Sequence, residues 1–356
     1  MAADLKRIQD LVSFLCSREC AGREPGTPGS DIARARIVKE LEQAQVAPAG
    51  EEGWLQRVPG CGWNVVGRVP GSGPLAERAI VVGAHYDHLG QDHAGRVYFG
   101  ADDNAAAVAI LLEVARAVGP GPIAGRQVIF VAFDGEEPPH FRSGTMGSLR
   151  WVKQPTVPLD RIDQFVCMDL VGHALGPAGL PDAVRQSLLV LGAERSPGTA
   201  ALVEACASRA RGVVPRRLSM DVVPPLSDYV SFEQAGVASI FLTCGRWEHY
   251  HQVTDTPEKL DYPKIAATAA FLEDLVRLLA ARKDAPVPYA PSRRDDLVTI
   301  RTLLDVGRLL APMVPPVKPA LAALTLLEAA AGRGPLAAQD RVALQVLVGQ
   351  LESVLG

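Results

Sequence analysis

Hydrophobic positions along this chain follow two periods in turn. Residues 5–16 and 32–44 carry apolar side chains at helical spacing, and the stretch between them, Gly22-Arg23-Glu24-Pro25-Gly26-Thr27-Pro28-Gly29, is turn chemistry. Runs dominated by apolar residues follow at 63–69, 79–84, 127–133, 164–168, 187–192 and 237–243. Short β-branched runs bounded by Gly and Pro, as at Pro70-Gly71-Ser72-Gly73, predict strands. Their largely apolar character predicts burial on both faces. Helical patterns at 104–118, 199–211 and 263–282 fall between them. The alternation predicts an α/β fold, a mostly parallel mixed sheet sandwiched by helices. This domain is expected to span residues 1–284. Prolines mixed with charge predict a linker over 285–296. Three amphipathic patterns, 297–310, 319–331 and 337–355, predict a C-terminal helical extension. The extension carries no chemistry of its own. It is expected to pack on the domain before it, the alternative being a surface for homo-oligomers.

Composition narrows the function. A chain of 356 residues, 48% hydrophobic, suits one large α/β domain with an appendage. A net charge of −4, with no Lys/Arg stripe interleaved with aromatics, argues against nucleic acid as a partner. No run of eighteen apolar residues predicts a membrane span. The opening Met1-Ala2-Ala3-Asp4-Leu5-Lys6 has no basic segment leading into an apolar core, so a cytoplasmic location is expected. The six cysteines form no Cys-x-x-Cys pair, which argues against a cysteine zinc site.

Acids and histidines gather where the apolar runs stop. His85 ends one run, and Asp87, two residues on, is placed to hold the imidazole's other N–H. Asp102 and Asp103 precede an Ala-rich helix, where one can cap while the other binds a metal. Glu136 and Glu137 follow the 127–133 run. Adjacent carboxylates repel unless a cation lies between them, and they point apart, so one can bind metal while the other moves a proton. Asp169 follows another apolar run. His249 and His251 flank Tyr250, and the exposed role falls to His249. Zinc accepts this mixture of imidazole and carboxylate, and a pair of ions needs a bridging carboxylate with about two further ligands each.

In order and spacing these pieces resemble the M28 family of co-catalytic zinc aminopeptidases. The resemblance is carried by Gly83-Ala84-His85-Tyr86-Asp87-His88-Leu89-Gly90, Gly100-Ala101-Asp102-Asp103-Asn104, Asp134-Gly135-Glu136-Glu137, Asp169, and Tyr250-His251 followed by Asp255-Thr256. Ala21-Gly22-Arg23, Asn64-Val65-Val66-Gly67 and Ser227-Asp228 add to it. It implies two zinc ions per chain, one held by His85 and Asp169, the other by Glu137 and His251, with Asp103 bridging. It further implies Glu136 as general base acting on a metal-bridged water, Asp87 as support for His85, Tyr250 as oxyanion donor, and a peptide with a free N-terminus as substrate. One departure stands out. Residues 138–146 make a longer segment after the Glu pair than many such aminopeptidases carry, and Phe141 and Arg142 are expected to line the substrate pocket. A long segment here is also a trait of glutaminyl cyclases, single-zinc relatives that turn N-terminal glutamine into pyroglutamate. A cyclase is therefore the alternative activity, and a non-catalytic binding domain the second alternative.

Overall fold

The structure is a computed structural model that describes residues 3–355; the first two residues of the segment read for a leader lie outside them. Its strands are β1 (Ala47–Pro48), β2 (Leu55–Val58), β3 (Gly62–Val69), β4 (Gly71–Ser72), β5 (Ala79–His85), β6 (Ile123–Ala124), β7 (Gln127–Phe133), β8 (Ile162–Met168), β9 (Ser187–Leu191), β10 (Val214–Leu218) and β11 (Ser239–Thr243). The helices are α1 (Leu5–Leu15), α2 (Pro28–Gln43), α3 (Ala106–Val118), α4 (Gly147–Lys153), α5 (Asp182–Arg185), α6 (Thr199–Ala207), α7 (Tyr229–Gln234), α8 (Tyr262–Ala281), α9 (Asp296–Leu310), α10 (Val317–Ala331) and α11 (Ala338–Leu355). Nine strands form one sheet in the order β1-β3-β7-β5-β8-β11-β9-β10, with β2 also on β3, while β4 and β6 make a separate small ribbon. The four central strands, β7, β5, β8 and β11, run parallel. Antiparallel pairs flank them, β3 on β7 and β9 on β11.

Burial on both faces explains the apolar runs. In β5, Ile80, Val82 and Ala84 join a core with α1, α2, α3 and α8, whereas Ala79 and Val81 join a second core with Trp151, Phe232 and the C-terminal helices. Each large aliphatic side chain buried this way contributes roughly 1.5–3 kcal/mol. The helix starts are set locally: Asp4 accepts from the Lys6 and Arg7 amides, and Thr27 accepts from Ser30 ahead of Pro28. No described helix is long and apolar enough to cross a membrane.

The sheet is longer than the periodicity predicts. β2 and β10 escape the pattern because polar residues share their faces. In β10, Arg216 reaches the Ser187 hydroxyl, while Arg217 pairs with Glu204 and with Asp295. This strand lies at the end of the sheet, where charge is compatible with pairing. The last three helices follow the spacing closely. α9 packs on β10, and its Leu303 and Leu304 share a core with Leu191 and Phe241.

Residues 282–295 form no regular element yet are fixed to the domain. Arg126, fully buried, donates to the carbonyls of Arg282 and Asp284, and Asp163 accepts from the Val287 amide at 2.8 Å. Asp163 also binds Arg126 and Arg78, both at 2.5 Å. Burial by itself would raise the Asp163 carboxyl, but Arg78, the Val287 amide and Arg126 together hold it below the usual carboxylate range. Its stabilising contribution is therefore complete above the unfolded value, about pH 4, and is lost as pH falls through the lowered folded value. Asp163→Ala would strand two guanidinium groups, and urea unfolding should show a loss of about 3–5 kcal/mol. A loss below 1 kcal/mol would mean that these arginines find other partners.

Candidate metal centre

Because the central strands are parallel, their carboxyl ends share one edge of the sheet. Chain order reverses on the two sides of β5, since β7 lies on one flank and β8 on the other. A crevice is expected at such a point. His85 is the last residue of β5, and Asp134 and Asp169 are the first after β7 and β8.

The five predicted ligands converge there. His85 Nε2 lies 3.4 Å from Asp103 Oδ1 and 3.5 Å from Asp169 Oδ1. His251 Nε2 lies 3.2 Å from Asp103 Oδ2 and 3.0 Å from Glu137 Oε2. The two oxygens of Asp103 thus face two different ligand groups. His85 Nε2 and Asp169 Oδ1 are buried without a hydrogen-bond partner, a costly state for polar atoms and one that a cation would relieve. Imidazole and carboxylate at these separations suit zinc. Asp103 and the His251 imidazole hold each other's charge: burial opposes both ionised forms, but Asp103 sits well below the carboxylate range and His251 is raised to about 10 by Asp103 and Glu137.

His88 is a member the sequence reading passed over. It is fully buried, and its Nδ1 meets Glu137 Oε1 at 2.7 Å. His88, Asp103 and Glu137 also form a potential three-ligand group. Both imidazoles meet Glu137, but His251 Nε2 comes to 3.2 Å from the Asp103 carboxylate whereas His88 Nδ1 stands 4.0 Å from it. In an arrangement where His251 binds the metal, the 2.7 Å contact would let His88 orient Glu137. The signal for it was its place three residues after His85, within the same polar cluster.

Backbone geometry aims the ligands. Gly100 has φ 57°, and a Cβ there would meet Asp103 O at 2.2 Å and the His88 ring at 2.6 Å, so only glycine fits. Leu170 and His251 hold φ of 54° and 55°, left-handed values that cost a non-glycine residue and turn the chain sharply beside two ligands. The Asp102 carboxylate is not a helix cap as expected. It accepts from the Gly172 amide and meets His173 Nδ1 at 2.7 Å. The amides of Asp102 and Asp103 are served by the Asp255 carboxylate, which ties the loop bearing His251 to the loop bearing Asp103.

Asp87 has a broader task than the one predicted. Its Oδ1 is 3.5 Å from His85 Nδ1, and its two oxygens accept the amides of Glu136 and Glu137, both at 3.1 Å. His85 Nδ1 lies nearer the Asp87 carbonyl, at 3.2 Å. Glu136 stands apart from the ligand groups, 3.9 Å from His85 Nε2. Burial raises its carboxyl well above the usual range; His85 opposes this, while Asp169 and Glu137 add to it. Asp228, part of the resemblance but given no role by it, is fully buried with neither oxygen hydrogen-bonded, and burial pushes it up to about 7. Tyr250 and Phe141 line the pocket beside the centre. Arg142 does not: its side chain is exposed and outside the lining, because φ of 55° turns the chain away at that residue. His249 points to Thr254 and Trp247, away from the ligands.

Known proteins resemble this chain in both sequence and fold. A glutaminyl-peptide cyclotransferase of Boiga irregularis is 27% identical, over 71% of this chain and 76% of its own length. The LapA aminopeptidase of Legionella pneumophila superposes with a TM-score of 0.63 at 15% identity, covering 79% of this chain and 73% of its own. A glutaminyl cyclase of Bacteroides thetaiotaomicron, bound to N-acetylhistamine, superposes with a TM-score of 0.60 at 17% identity, over 80% of this chain and 99% of its own. The family description "Peptidase family M28" matches residues 64–276, more than half of the chain and all five convergent ligands, and the chain belongs to that family.

Proposed function

We propose that this chain is a two-zinc aminopeptidase. The observation that carries this reading is the division of Asp103, one carboxylate oxygen toward His85 and Asp169, the other toward His251 and Glu137. A zinc pair held there would polarise the scissile carbonyl and acidify water. Glu136, outside both ligand groups, takes the water proton and returns it to the leaving amine. Its buried position keeps the carboxyl ready to hold that proton between the two steps. Asp87 fixes the Glu136 backbone, so the carboxyl does not drift from the crevice. The Tyr250 phenol is pushed upward by burial and by the carboxylates of Asp103 and Glu137, so it keeps its proton and donates to the developing oxyanion. Tyr250→Phe should lower kcat about 10²-fold with KM little changed. A rate within twofold of the parent would make Tyr250 a packing residue.

A second reading is a glutaminyl cyclase acting through the same Glu136. It is favoured by the cyclotransferase relatives and by the 138–146 segment, whose Phe141 reaches the pocket. Mass spectrometry of a mixed peptide pool with the zinc-loaded protein separates the two. Stepwise loss of N-terminal residues supports the aminopeptidase. Loss of ammonia from glutaminyl peptides alone overturns it in favour of the cyclase. No change in any peptide, with zinc bound, would leave a non-catalytic binding domain.

A further inference from the structure

The crevice does not end at the metal ligands. It continues into a cavity of about 180 Å³ whose lining includes Asp103, Glu136 and His251 together with a large apolar surface. Part of that surface belongs to the sheet, through Leu191 and Leu218 at the ends of β9 and β10 and Phe241 within β11. Another part is supplied by the C-terminal extension, through Val306 of α9 and Val348 and Leu351 of α11. These helices are fixed in place. Thr302 donates to the Arg217 carbonyl at 2.8 Å, Thr299 accepts from the Ser219 amide, and Gln345 donates to the Asp221 carbonyl. The charged side chains of the lining away from the metal ligands, Arg246 and Glu352, belong to exposed residues and so sit at the rim.

We propose that α9 and α11 are part of the substrate site. They close the pocket that receives the side chain of the substrate's first residue, and they select a large apolar one such as leucine, methionine or phenylalanine. A cavity of about 150 Å³ already admits benzene, so the space is sufficient. A charged first residue would be stripped of water with no partner inside. An alanine would leave the apolar walls unfilled. The proposal rests on the aminopeptidase reading, and its test keeps the two apart.

The full-length, zinc-loaded protein is assayed on peptides that differ only in the first residue. Leucine is expected to exceed alanine in kcat/KM by about tenfold or more, the discrimination that a few methylenes give. Val348→Phe and Val306→Phe fill the pocket from α11 and α9 respectively. In each, the leucine-to-alanine ratio should fall about tenfold. Val346→Phe, at a site 53% exposed on α11, is the control and should keep the parent ratio. Should a pocket variant not fold, the other variant and the parent's own preference still decide. Release of leucine and alanine at equal kcat/KM, or a ratio unmoved by a folded pocket variant, overturns the proposal while the aminopeptidase stands. Cyclisation of glutaminyl peptides without residue release overturns the aminopeptidase reading and the pocket assignment with it.

Discussion

Glu136→Gln should bind zinc like the parent and lose about 10²–10⁴-fold in kcat. The substitution keeps the shape of the side chain and removes its ability to take a proton. Glu136 belongs to neither ligand group, and the Asp87 carboxylate holds its amide whichever side chain it carries. Metal content is read per chain by elemental analysis and turnover on the peptide that the parent cleaves best. Parent-like turnover would remove Glu136 from the proton-transfer role. Loss of zinc together with turnover would move it into the ligand set.

Asp103→Ala has the second large expected effect, of a different kind. Both carboxylate oxygens are engaged, each toward a separate group, so one substitution weakens both sites at once. His85→Ala or Asp169→Ala should lower zinc from two ions per chain toward one, whereas Asp103→Ala should lower it toward none. Affinity should fall by more than the 10–100-fold typical of losing a supporting residue around a metal. Thermal melting gives an independent reading. Zinc at a hundred times its dissociation constant stabilises the parent by about 2.7 kcal/mol, and this gain should vanish in the variant. A parent that binds one ion at saturation would contradict the paired centre and strengthen the cyclase reading.

The convergence of these acids and histidines was largely legible in the sequence because parallel strands translate position into proximity. An acid or histidine just past an apolar run must sit at the sheet's carboxyl edge, and His85, Asp169 and the Glu136–Glu137 pair were found by that rule alone. Asp103 and His251 lie on loops, where no periodicity applies; their assignment came from resemblance. What remained hidden was the partnership between distant segments. Asp255 serving the amides of Asp102 and Asp103, 153 and 152 positions away, leaves no local trace, so Asp102 read as a cap. His88 was hidden by its neighbours, since one histidine and one aspartate already explained the cluster. Arg142 was expected in the pocket lining with Phe141, but it is exposed and outside that lining, at a residue with left-handed backbone that the sequence does not announce. The extension's helices were legible from amphipathic spacing, yet their place in the pocket wall depends on tertiary packing that spacing does not encode.

The buried Arg23 also has a practical consequence. Its guanidinium donates to the carbonyls of Leu15, Tyr86, Phe99 and Gly100, at 2.7–2.9 Å. Tyr86 follows one ligand, and Gly100 opens the loop of another. Arg23 lies outside the 64–276 stretch that the family description matches. A shortened protein cut to that stretch would therefore lose the cation that fastens two ligand-bearing loops, along with α1 and α2. Its buried carbonyls would draw in water where the crevice should be dry. Protease nicking between Arg23 and the first strand would be harmless only while the severed piece stayed docked. For this chain, the smallest unit that keeps these loops fastened is larger than its most recognisable part.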